Sequence, residues 1–175
     1  MSEFDVVDLG PTDHVAVDEA APKFRRPLVA DEYWEDRSLS ALVADGPLAL
    51  VFTPMVGSFV TRYIFEELSD RGVGTEETGD PNDPAVLGVT ISSPYEISRF
   101  VDENTLSYRL FSDPANAVAE SYGVVHDLDG MTGIAEPRPS VFVLDREGIV
   151  EYAWVATEWP SFPEYDELEV VLGDT

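Results

Sequence analysis

The sequence predicts an α/β layer fold built on a mixed sheet, and three observations carry that expectation. Two runs, Leu48-Ala-Leu-Val-Phe-Thr and Val86-Leu-Gly-Val-Thr-Ile, are apolar almost without interruption, the mark of strands covered on both faces. Segments after each run carry apolar residues at helical spacing. Near the end, two further apolar runs flank Arg146-Glu-Gly148, which reads as an antiparallel hairpin. Strands that alternate with helices and then finish in a hairpin give helices packed on a sheet of mixed direction. With 175 residues and 44% hydrophobic composition, the chain is long enough for one domain with its own core.

The elements follow in order. Residues 1–13 form a lead with an edge strand expected near Phe4-Asp-Val-Val, and residues 14–175 form the domain. A short strand is expected within the stretch His14 to Phe24, before its Pro-bearing turn at Pro22, and residues 30–37 read as a polar connection. Ser38 is a candidate N-cap for a short helix, Leu39 to Ala44, stopped by Gly46-Pro47. After the first buried strand and Pro54, the residues Phe59, Val60, Tyr63, Ile64 and Leu68 predict a helix from about Ser58 to Arg71. An acidic loop at 74–84 leads to the second buried strand. Ser92 or Ser93 caps a helix from Tyr95 to Glu103. A strand at Tyr108-Arg-Leu-Phe follows, then a helix opened by Pro114 and closed near Tyr122-Gly123. The hairpin joins Val141–Asp145 to Ile149–Ala156, and Pro163 to Leu172 forms a terminal helix. No internal repeat is visible.

Charge narrows the function classes. Ten basic residues against 35 acidic ones leave a formal net charge of −25. A surface of that sign repels nucleic acid and anionic membranes, so neither is an expected partner. The acid is spread along the whole chain, and of the basic residues only Lys23 is a lysine. Such self-repulsion is tolerable where about 1 M salt shortens the Debye length to ~3 Å, so the composition reads as adaptation to a high-salt cytoplasm. There is no cysteine, which removes disulfides, thiolate metal sites and dithiol redox chemistry. The acidic start, Met1-Ser-Glu-Phe-Asp, is unlike a signal peptide, and no apolar run approaches the roughly 18–20 residues that span a bilayer. A soluble cytoplasmic protein is the expectation.

At the end of the first buried strand stands Thr53-Pro54-Met-Val-Gly-Ser58-Phe-Val-Thr61. Here the sequence resembles the peroxiredoxins, the alkyl hydroperoxide reductase and thiol-specific antioxidant family. Their active site follows Pro-x-x-x-Thr/Ser-x-x-Cys at the first turn of a helix. Pro54 and Ser58 fit the first two positions, and Thr61 occupies the place of the nucleophile. Further pieces agree in order: Ala21-Pro22-Lys-Phe24, Ser38 to Leu42, Val86 to Pro94, Leu110 to Pro114, Ala119 to Val124, and Ser140 to Gly148. The likeness covers about residues 14–172 and implies a thioredoxin-like fold of peroxiredoxin type, a central mixed β-sheet flanked by helices.

The resemblance also implies an activity whose chief residue is missing. In the family a helix dipole, backbone N–H groups and an arginine lower the cysteine pKa, and the thiolate attacks a peroxide oxygen. A threonine hydroxyl stays protonated at neutral pH and is not redox-active. The glutamate often found three residues after the cysteine is Ile64 here. The family arginine's column holds Pro139, a proline position that in thioredoxin-like relatives often has a cis bond, and Arg138 lies one residue off. No catalytic residue, cofactor or metal is therefore expected. Two readings of Pro54, Ser58 and Thr61 stay open. They could form a polar pocket that binds a small polar or anionic ligand at the helix start. Alternatively, Ser58 caps the helix and Thr61 bonds back to the preceding turn. Arg138 could be a pocket cation or could pair with Glu136 or another acid.

The remaining candidates carry little chemistry. His14 and His126 lie near no strained nucleophile turn, so a serine hydrolase is not indicated. His126-Asp-Leu-Asp129 lacks the later ligands of a calcium loop and reads as solvated. Trp154 and Trp159 read as core or dimer contacts. The function expected is that of a binding or partner-interaction domain, with a homodimer, or a heterodimer with a cysteine-bearing homologue, as the implied assembly. An antioxidant role is the alternative that the resemblance implies.

Overall fold

The computed structural model describes residues 6–30, 33–74, 84–126 and 134–174. A seven-stranded mixed sheet forms its centre, flanked by helices. The strands β2 (Arg25–Val29), β3 (Trp34–Ser38), β4 (Leu48–Phe52), β5 (Ala85–Thr90), β6 (Arg109–Ser112), β9 (Ser140–Leu144) and β10 (Val150–Val155) build it. Their order across the sheet is β10-β9-β4-β5-β6-β2-β3. Only β4/β5 and β5/β6 are parallel, with Leu48 opposite Ala85 and Leu87 opposite Arg109. The helices are α1 (Leu39–Asp45), α2 (Phe59–Asp70), α3 (Pro94–Glu103), α4 (Ala117–Tyr122) and α5 (Tyr165–Gly173). Short pairs complete the fold: β1 (Val7–Asp8) with β11 (Glu158–Trp159), and β7 (Val125–His126) with β8 (Glu136–Pro137).

The unbroken apolar run of β4 is explained by its two covered faces. Leu48, Leu50 and Phe52 enter one core with Leu42, Phe111, Tyr122 and Phe142. Ala49 and Val51 point the other way, into a core with Ile64, Phe65, Ile97, Val143 and Leu168. Gly88 of β5 is required by closeness rather than by conformation. A Cβ there would lie 2.5 Å from Leu110 Cγ and 2.8 Å from Phe65 Cζ, so the gap lets α2 settle on the sheet. Gly123 is required twice over, by its φ of 76° and by the Asp13 carbonyl 2.5 Å from where a Cβ would sit.

Several expected elements shift. The stretch before Pro22 forms no strand beyond a single antiparallel bridge of Ala20 with Ile149; its backbone is held by single bonds, Val15 N–H to Tyr122 O at 3.1 Å and Asp18 N–H to Val150 O at 2.8 Å. The connection expected at 30–37 contains β3, which pairs with β2 as an antiparallel edge. Its charged residues face outward, which hides the strand from an apolar pattern. The helix expected at Pro114 begins only at Ala117, because Asn116 adopts a left-handed φ of 59°. The terminal helix starts at Tyr165 rather than Pro163. Val7–Asp8 is a paired edge strand, whereas Phe4 and Asp5 lie outside the described residues. The one cis peptide bond among the described residues is Trp159–Pro160, not the bond before Pro139.

Candidate functional site

β4 delivers Pro54 to the start of α2, and the intervening turn closes through Ser58 N–H to Met55 O at 2.9 Å. Ser58 has the extended backbone of an N-cap, φ −72° and ψ 137°, but its side chain makes no capping bond. The expected cap is thus one of position only. Ser93 shows the contrast at α3: its hydroxyl accepts from Glu96 N–H at 3.3 Å, and the Glu96 carboxylate accepts from Ser93 N–H at 3.2 Å.

Thr61 lies in the first turn of α2 with no exposure at all. Its Oγ1 donates to the Met55 carbonyl at 2.8 Å. That bond matches the expected back-bond and fixes the hydroxyl inside the turn. The turn after β5 clamps the same segment from the other side. Thr90 donates to the Pro54 carbonyl, Val56 N–H donates to Ser92 Oγ at 3.0 Å, and Ser112 Oγ donates to Ser92 O at 2.6 Å. That clamp and the back-bond hold the Thr61 side chain inside the turn, with its proton on a backbone carbonyl.

Open space lies beside the start of α2, between it and α3. A cleft of about 580 Å³ is lined by Val56, Ser58, Phe59, Arg62, Glu96 and Arg99, among others. Arg62 lies 3.9 Å from Glu66 and sits over the Tyr63 ring, whereas Arg99 is exposed. Two of the chain's ten basic residues thus border the positive end of a helix. The sequence reading missed both, because their spacing from Ser58 fits no motif and only the approach of α3 to α2 brings them together.

Arg138 does not line that cleft, and among the described residues it forms no ion pair. Its Nη1 donates to Gly10 O at 2.9 Å and Ala156 O at 3.1 Å, and its Nη2 to Val125 O at 3.4 Å. It is 6% exposed, and burial lowers its pKa from the ordinary arginine value. The guanidinium ties the N-terminal segment to the end of β10, and Pro139 O accepts from Ala156 N–H beside it.

Among the other candidates, His14 packs edge-on to Phe142 with ring centroids 6.1 Å apart. His126 lies against Trp159 at 5.5 Å, and Trp159 also meets Phe59 at 6.4 Å. Trp154 packs on the core beneath α2, α3 and α5. Asp129 and most of the 74–84 loop lie outside the described residues. Among the described residues, no group of three or more histidines and carboxylates is arranged to hold a metal, and no helix is long and apolar enough to cross a membrane.

Known proteins agree with this architecture. The crystal structure of the reduced 2-Cys peroxiredoxin of Plasmodium vivax superposes with a TM-score of 0.74, at 19% identity, over 90% of this chain and 80% of its own. Peroxidoxin BcpB of Mycobacterium tuberculosis gives 0.72 at 22% identity, covering 91% of this chain and 96% of that one. By sequence, a candidate peroxiredoxin of Synechocystis sp. is 28% identical over 151 residues, 82% of this chain and 70% of that protein. The structural likenesses establish the thioredoxin-like fold. The sequence profile of the AhpC/TSA family matches residues 17–153, so this cysteine-free chain belongs to the AhpC/TSA family.

Proposed function

We propose that this protein is an AhpC/TSA family member without thiol peroxidase activity, acting as a binding or partner-interaction domain. The observation that carries the reading is Thr61: it holds the nucleophile's position, has no exposure, and gives its proton to Met55 O. The family reaction needs a thiolate sulfur to attack a peroxide oxygen, break the O–O bond and become a sulfenic acid. No atom of this chain can take that part, since a methionine sulfur is oxidised once and then needs a separate reductase. The test is peroxide consumption by the pure protein with dithiothreitol as reductant. No turnover above a protein-free blank is expected, and sustained consumption overturns the proposal.

The cleft beside Ser58, with Arg62 and Arg99 on its wall, supports a small polar or anionic ligand at the helix start. A partner surface is supported by the aromatic group next to it. Tyr63 is 46% exposed and lies 5.7 Å from Phe59 and 6.4 Å from Phe162 by ring centroids. A second copy or a cysteine-bearing homologue would cover that group, and loss of self-association or co-purification in Tyr63→Glu tests it. The surplus of acid supports work in a high-salt cytoplasm. Screening then removes self-repulsion, so the melting temperature should rise from dilute to molar KCl. A flat or falling trend excludes the salt adaptation.

A further inference from the structure

We propose that the outer edge of β3 pairs with β3 of a second copy in concentrated salt, antiparallel about Asp36, so that one sheet runs through both chains. This surface differs from the Tyr63 group, and the pairing is independent of whether that group associates.

The sheet ends unequally on its two sides. At one margin the N-terminal segment engages β10. Asp18 N–H donates to Val150 O at 2.8 Å, Val150 N–H donates to Glu19 O at 2.9 Å, and Leu9 N–H reaches Thr157 O at 2.9 Å just beyond the strand. At the other margin β3 pairs, among the described residues, with β2 alone. Three observations give its bonding parity. Ala30 N–H donates to Tyr33 O at 2.9 Å at one end, Leu39 N–H donates to Phe24 O at 3.0 Å at the other, and Asp36 stands opposite Pro27, which has no N–H. Bonded and non-bonded pairs alternate in an antiparallel ladder. Glu35 and Arg37 therefore bond inward to β2, while Trp34 and Asp36 turn their N–H and C=O groups outward.

Charged side chains ordinarily keep such an edge from pairing. Here they complement a copy of themselves. With Asp36 on the two-fold axis, Glu35 lies directly opposite the partner's Arg37, twice over, at the non-bonded pairs where side chains come closest. The neighbouring two-fold registers set Glu35 against Glu35 or Arg37 against Arg37. Within one chain the same two side chains pair poorly, with Arg37 Nη1 3.5 Å from Glu35 Oε1 and both open to solvent. Tyr33 and Tyr95, 63% and 75% exposed, supply apolar surface beside the edge, Tyr95 standing edge-on to Trp34 at 5.2 Å. Against the pairing stand the two Asp36 carboxylates at the axis and the repulsion of two chains of formal charge −25. Salt settles that contest. At about 1 M the Debye length is ~3 Å, which quiets remote charges and leaves touching pairs part of their attraction.

The test is sedimentation velocity of the whole protein over a concentration series in molar KCl, with two charge reversals. The wild type is expected to form a dimer reversibly. Glu35→Arg and Arg37→Glu each turn both cross-strand pairs repulsive, and each alone should weaken dimerisation about fivefold or more. Mixed in equal amounts, the two variants should recover it, because every pair is then opposite in sign. Asp36→Pro removes an outward N–H without removing a bond to β2, and it should abolish the pairing. A wild type that stays monomeric overturns the proposal. So does a mixture that associates no better than its parts, or a dimer that survives both reversals. A dimer that survives the reversals and is lost in Tyr63→Glu belongs to the Tyr63 surface, so the two readings fail separately. Should Asp36→Pro fail to fold, the reversals, which alter only solvent-facing side chains, decide without it.

Discussion

Thr61 and Asn116 are both buried polar residues at the start of a helix, and Met55 adjoins both. Its carbonyl accepts the Thr61 hydroxyl, and it lines one cavity with Asn116. The hydroxyl is satisfied within the protein, whereas the Asn116 amide is not. A buried polar group left unpaired costs about 1–3 kcal/mol. The comparison teaches that position 61, the reactive centre of the family pattern, is finished as structure here. The neighbouring turn holds the opposite case, a buried amide without a partner, at a residue the family pattern does not mark.

A series of three substitutions, read by denaturant unfolding, sharpens that contrast. Asp113→Ala should cost most, about 2 kcal/mol or more. It removes the cap of α4 and the 2.9 Å pair with Arg26 from a carboxylate only 2% exposed. Thr61→Val should cost about 1 kcal/mol, since it keeps the shape and deletes one buried hydrogen bond. Asn116→Gly should cost close to nothing, because it removes an unpaired amide and relaxes a left-handed backbone. If Asn116→Gly loses more stability than Thr61→Val, the two regions do not differ in the way described.

How far the sequence discloses this depends on where each signal resides. β4 and β5 are legible because covering both faces of a central strand forces continuous apolarity, whereas the cap of α3 stays open between Ser92 and Ser93 until the structure shows the reciprocal bonds of Ser93 and Glu96. β2 and β3 are not. Arg25-Arg26-Pro27 and Glu35-Asp36-Arg37 belong to the sheet margin, where pairing with β6 is a long-range fact and one face stays wet. The N-terminal proline signal at Pro114 misplaces a helix start, because the Asp113 carboxylate and the left-handed Asn116 hold the first turn back to Ala117. At the site, Pro54, Ser58 and Thr61 are marked by the resemblance to the family pattern, and Thr61 makes the back-bond that its chemistry suggests. Arg138, one residue off the family column, turns its guanidinium toward the carbonyls of Gly10, Val125 and Ala156, partners that no sequence pattern discloses. Asn116 has no local signature at all. Its interest lies in bonds it does not make, and those are visible only in three dimensions.

The central claim, that position 61 is built for a partnered, neutral group, is tested most directly by Thr61→Cys. On the sequence alone, a thiol in the first turn of a helix should have a pKa below the free value of about 8.5. The structure opposes that. Full burial can raise a thiol pKa by about 3–5, and the Met55 carbonyl beside position 61 favours the protonated form. A helix end contributes at most ~2 kcal/mol the other way, about 1.5 in pKa. The ultraviolet absorbance of the thiolate is followed against pH in molar KCl, where the distant carboxylates are screened. The account predicts a pKa at or above 8.5 and slow reaction with peroxide. A pKa well below 8.5, with fast oxidation, would show a working thiolate site still intact at the start of α2.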